Sequence, residues 1–88
     1  MATMPFISYW DVDGMRYQLV SSGDPQADPS QQIELNDLSA IAREGDRVVI
    51  SALRATATGH IRLTFNRAMI RIELVERFLA AVHEHWPR

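Results

Sequence analysis

Residues 6–12, Phe-Ile-Ser-Tyr-Trp-Asp-Val, and 15–20, Met-Arg-Tyr-Gln-Leu-Val, read as two strands flanking Asp13-Gly14. That dipeptide suits the positive φ angles of a two-residue type I′ turn. The turn fixes a register. Val12 meets Met15, Trp10 meets Tyr17, Ser8 meets Leu19 and Phe6 meets Ser21 on one face. Asp11 meets Arg16, Tyr9 meets Gln18 and Ile7 meets Val20 on the other. A core-side aromatic pair and an outer pair of opposite charge follow from one register, so the hairpin is self-consistent.

Beyond it, residues 22–32 hold a glycine, two prolines and small polar residues, the composition of a surface loop. Gln32 to Leu35 have room for a short strand. Asn36 or Asp37 can then cap a short helix near 37–44, with Leu38, Ile41 and Ala42 inward and Gly45 just past its end. Residues 47–55 are dense in β-branched side chains. Residues 60–66 alternate, with Ile61, Leu63 and Phe65 inward and His60, Arg62 and Thr64 outward. Gly59 suits the turn between these two strands.

The last segment carries two periods at once. Ile70, Ile72 and Leu74 alternate with Arg71 and Glu73 as in a strand. Met69, Ile72, Val75, Leu79, Val82 and Trp86 recur at helical spacing. Asn66 as N-cap and Glu73 four residues before Arg77 favour one helix from about 67 to 86. The expected fold is α+β: an antiparallel sheet of two β-hairpins, about four strands, packed by a long C-terminal helix. A single domain over residues 1–88 is expected.

Composition narrows the function classes. A hydrophobic fraction of 47% in 88 residues is enough for one core. The net charge of −2 disfavours a dedicated nucleic-acid or membrane-surface binder. No cysteine is present, which excludes disulfides, thiol catalysis and thiolate zinc sites. No apolar run approaches the roughly 20 residues that span a bilayer, and no secretory leader is visible, so a cytoplasmic protein is expected. All nine basic residues are arginine. A coding bias explains this most simply; selection for planar, bidentate cations at a binding surface is the functional alternative.

Asp11-Val12-Asp13-Gly14 resembles the first motif of the haloacid dehalogenase superfamily. That resemblance would make Asp11 the nucleophile and Asp13 the acid/base, beside magnesium. Met15 stands where that family carries threonine, and 88 residues are too few for its parallel sheet. The hairpin is therefore the preferred reading. His83 and His85 lack the i,i+3 or i,i+4 spacing of two ligands on one helical face, and they read as partly cationic imidazoles at a helix C-terminus. No nucleophile–base motif or phosphate loop is recognisable. No cofactor, metal or catalytic residue is assigned.

Two features point to binding. Arg54, Arg62, Arg67 and Arg71 come from the second hairpin and the start of the last helix, and could form one basic surface. Ile70, Leu74, Phe78 and Ala81 form a second apolar stripe on that helix, more than one sheet face requires. The expected function is a non-enzymatic protein-binding module, such as an adaptor, inhibitor, antitoxin or immunity protein. It would dock through Ile70, Leu74 and Phe78 and be oriented by the arginines. The partner is another protein or a second copy of the chain. Nucleic-acid binding through the arginines is the alternative.

Overall fold

The computed structural model describes residues 7–22, 30–39, 47–55 and 57–86. Strands β1 (Ile7–Val12), β2 (Met15–Ser22), β3 (Ser30–Asp37), β4 (Val48–Ala55) and β5 (Ile61–Phe65) precede helix α1 (Ile72–His85). The strands form one antiparallel sheet in the order β1-β2-β3-β4-β5, each beside its neighbour in sequence.

The first hairpin has the expected register throughout its described residues, from Ile7–Val20 to Val12–Met15. Asp13 and Gly14 have φ of 52° and 78°, as a type I′ turn requires. The pairing of Phe6 lies outside the described residues. Gly59, at φ 75°, takes its expected place before β5.

The sheet has five strands rather than about four. Residues 30–37 form a full central strand, because Ile33 and Leu35 sit fully buried between Leu19 and Ser21 on one side and Ile50 and Ala52 on the other. Tertiary pairing thus outweighs the loop-like composition of Ser30-Gln31-Gln32. The short helix expected near 37–44 is not seen where the chain is described. Asp37 ends β3, its N–H donates to Arg47 O at 2.7 Å, and Leu38 N–H donates to Arg16 O at 2.9 Å. Residues 40–46 lie outside the described residues.

Rows of side chains cross the covered face. One runs Ser8, Leu19, Leu35, Ile50, Phe65; the next runs Ser21, Ile33, Ala52, Leu63. A register shift between Leu35 and Asn36 leaves Val49 without an opposite residue on β3. Val49 is buried like Ile50, and it lines a hollow with Tyr17, Asp37 and Leu74. The opposite face is mixed: Ile7, Tyr9 and Leu53 are exposed there beside polar groups, where Asn36 donates to Gln18 and Gln18 to Tyr9, both at 3.5 Å, and Arg16 lies 5.0 Å from the Tyr9 ring. One packed and one solvated face is the usual state of an antiparallel sheet.

Helix α1 covers the packed face, and it starts later than expected. Residues 67–71 are not helical, and the N-cap is Arg71 (ψ 136°) without a side-chain cap bond, not Asn66. Asn66 N–H instead donates to Val49 O, prolonging the β4–β5 ladder, and Arg67 pairs with Asp37 at 3.5 Å. Leu74, Phe78, Val82 and Trp86 are buried against Trp10, Leu19, Ile33, Leu35 and Ile50. Complete burial of Phe78 contributes about 2–3 kcal/mol.

Candidate docking surface

The sheet takes residues from both apolar stripes of the last segment, Val82 and Trp86 from the one expected inward and Leu74 and Phe78 from the other. Leu74 is 4% exposed and Phe78 fully buried, while Ile70 is half-buried and packs against the same cluster. Their surface is taken up by the protein's own sheet, so the docking face expected there is the core. Met69 and Ile72, from the stripe expected to face inward, are 90% and 66% exposed. Two long-range ion pairs accompany this rotation of the helix. Arg71 pairs with Asp13 in the β1–β2 turn, and Arg67 with Asp37 at the end of β3.

The arginines do not converge. Arg54 points to the helix side, 6.0 Å from the Trp86 ring. Arg62, one position along from the residue opposite Arg54, belongs to the other face and is exposed. Arg67 and Arg71 each face a carboxylate. A single basic surface built from these four is not present.

On the helix side of the sheet, exposed apolar surface lies at β5. Along the first core row, exposure goes from 3% at Leu19 and zero at Leu35 and Ile50 to 50% at Phe65. Along the second it rises from zero at Ile33 and Ala52 to 37% at Leu63. The cause is width. A helix with its side chains is about 10–12 Å across, whereas strands spaced about 4.8 Å make five of them roughly 20 Å wide. One helix cannot cover the whole face. On α1, Ile72, Val75 and Leu79 share a flank at i, i+3 and i+7, and Val75 and Leu79 are only half-buried. The alternation of Ile61, Leu63 and Phe65 was legible in the sequence; that two of them lie beyond the helix was not.

The free edge of β5 adds backbone to this surface. Ala55 N–H donates to His60 O and Asn66 N–H to Val49 O, both at 3.0 Å. Antiparallel ladders alternate, so Arg62 and Thr64 also bond to β4. The N–H and C=O groups of Ile61, Leu63 and Phe65 therefore point away from the sheet, and no described strand pairs with them.

Two other regions carry polar chemistry. A cleft of about 650 Å³ lies between β1–β2 and α1, where the Arg77 guanidinium stacks 4.5 Å from the Trp10 ring and Glu84 and His85 form the rim. At the helix C-terminus, burial and then the nearby Arg54 push the His85 pKa below the usual imidazole value. The partly cationic His85 expected from the sequence is disfavoured. In the hollow at the other end of α1, burial and then Asp37 raise the Tyr17 pKa, against a smaller opposing effect of Arg67. Among the described residues no cluster of His, Asp and Glu is arranged to hold a metal ion. Nor is any helix there long and apolar enough to cross a membrane.

No protein-family model, curated protein or solved structure matches this chain.

Proposed function

We propose that this chain is a non-enzymatic protein-binding module, of the adaptor, inhibitor, antitoxin or immunity type, that docks through the β5 edge and the adjoining flank of α1. One observation carries the reading: Leu63 and Phe65, both large and apolar and on the helix side of the sheet, are 37% and 50% exposed on β5, whose outer edge pairs with no described strand. Exposed apolar area that is contiguous with a free strand edge is the kind of surface that partner proteins cover. Backbone bonds supply affinity in such docking, and alternate side chains supply selectivity.

The test is capture from a lysate of the native host, with the tagged protein and its Phe65→Glu and Ile72→Glu variants compared side by side. Both positions are exposed, so the variants are expected to keep the native circular dichroism. Proteins retained by the wild type should be lost from both variants and kept by Arg16→Ala, on β2 and the opposite face of the sheet. An unchanged set on Phe65→Glu and Ile72→Glu refutes the docking surface.

A further inference from the structure

We infer that the cleft between β1–β2 and α1 is a binding site for a small monocarboxylate with an apolar body, its carboxylate held by Arg77. The site is separate from the docking surface: it lies over β1 and β2, and β5 is at the far edge of the sheet.

The cleft exists because small residues meet across it. Arg77, Ala80, Ala81 and Glu84 share one flank of α1 at i, i+3, i+4 and i+7. The two middle positions are alanines, and β1 opposes them with only Ser8 where Leu19, Leu35 and Ile50 continue the same row. The space left is about 650 Å³, within the range of about 300–1,000 Å³ typical of small-molecule pockets.

Arg77 is prepared for an anion. Its guanidinium lies 4.5 Å from the centroid of the buried Trp10 ring. Glu73 stands four residues before it, the spacing of a helical ion pair. Arg77 nevertheless pairs with no carboxylate among the described residues, whereas Arg67 and Arg71 each do. A guanidinium stacked on a ring is engaged through its face, and its N–H donors lie in its plane. Those donors remain for a planar, bidentate partner, which is what a carboxylate is. Stacking also fixes the side chain beforehand, so less freedom is lost when the anion binds.

The rest of the lining chooses the ligand's other end. Trp10, Leu19 and Ala81 give an apolar wall, with the exposed Ala80 at its outer side. Glu84 stands seven residues beyond Arg77, about 10 Å along the helix axis. Its charge repels a second carboxylate at that end. His85, whose pKa is lowered by burial and then by Arg54, adds no charge there at neutral pH. One anionic head at Arg77 and a neutral apolar body along the wall therefore match the cleft.

Titration of the full chain with phenylacetate and with octanoate tests the site and separates an aromatic body from an aliphatic one. Tryptophan fluorescence reports binding, and amide shifts locate it. At least one acid should bind saturably, with a Kd of about 0.1–1 mM for a ligand of this size. The Trp10 indole and the amides of Ala80 and Ala81 should shift, and those of Leu63 and Phe65 should not. The corresponding amide, phenylacetamide or octanamide, should bind about tenfold or more weakly, because it lacks the charge. Suberate, which adds a second carboxylate to octanoate, should also bind more weakly.

Arg77→Gln should weaken the acid by about tenfold or more, and Ala80→Leu should do the same by filling the cleft. Both positions are exposed, so both variants are expected to keep the native circular dichroism. Arg16→Gln, on the opposite face of the sheet, should leave the affinity unchanged. The acid–amide comparison is read on the wild type, so it decides even where a variant fails to fold. No saturable binding of either acid overturns the proposal. So do equal affinities for acid and amide, full affinity in a folded Arg77→Gln, or shifts centred on Leu63 and Phe65.

Discussion

Replacing Arg67 by methionine isolates the ion pair that anchors the segment before α1. Asp37 is 6% exposed and stands on the apolar side of the sheet, in a hollow of about 90 Å³ with Tyr17, Val49, Ile70 and Leu74. One carboxylate oxygen accepts from Ser39 N–H at 2.8 Å, and the other faces Arg67 at 3.5 Å. Removing one partner of a buried pair costs about 3–5 kcal/mol, because the remaining charge is uncompensated. The Arg67 side chain is 35% exposed, so water reaches the site once it is removed. That brings the expected loss to about 1–3 kcal/mol, or a fall in Tm of about 10 °C for a domain of this size. Asp37→Asn in the same background removes the stranded charge yet keeps an acceptor for Ser39 N–H. The double variant should therefore recover to within about 1 kcal/mol of the wild type. Urea unfolding followed by tryptophan fluorescence suits the measurement, since Trp10 and Trp86 are both buried. A loss below about 0.5 kcal/mol for Arg67→Met refutes the reasoning. So does a double variant no more stable than the single one.

The rotation of α1 is checked by a contrasting pair: Phe78→Ala should cost about 3–5 kcal/mol, and Ile72→Ala less than about 0.5, by the same denaturation. His85 gives a pH signature. Its pKa is lowered on folding, so between the folded value and about 6.5 the unfolded chain binds more protons. Stability from this group is complete above pH of about 6.5 and is lost as the pH falls through that window. His85→Gln should flatten the fall of Tm between neutral and mildly acidic pH, and an unaltered slope would show that His85 is not its source.

How much of this was legible in the sequence differs by element. The first hairpin was readable because Asp13-Gly14 sets the turn and both faces of the strands agree with it. β3 was read too short because Ser30-Gln31-Gln32 has loop chemistry and is held extended by neighbours distant in sequence. The helix start was misplaced for a related reason. Asn66 is an apt cap in isolation, but its N–H is committed to Val49. The candidate site was misplaced because 3.6-residue periodicity offers two apolar stripes, and the sheet takes Leu74 and Phe78 from one and Val82 and Trp86 from the other. The ion pairs of Arg67 and Arg71 that accompany the observed rotation join residues about 30 and 58 positions apart, beyond the reach of any local pattern.

The nearest-neighbour strand order also bears on how the chain assembles. Each strand pairs with the one just made, so every sheet contact closes a short loop, and such contacts form early and fast. The sheet can grow from the first hairpin outward, in the direction of synthesis. Its cover comes last: Leu74, Phe78, Val82 and Trp86 all lie in the final stretch of the chain. Until they arrive, Leu19, Ile33, Leu35 and Ile50 form an open apolar floor. The nascent protein thus passes through an interval in which its stickiest surface is complete and uncovered. The C-terminal helix is then the step that ends this exposure, and a chain terminated before residue 72 would be left in it.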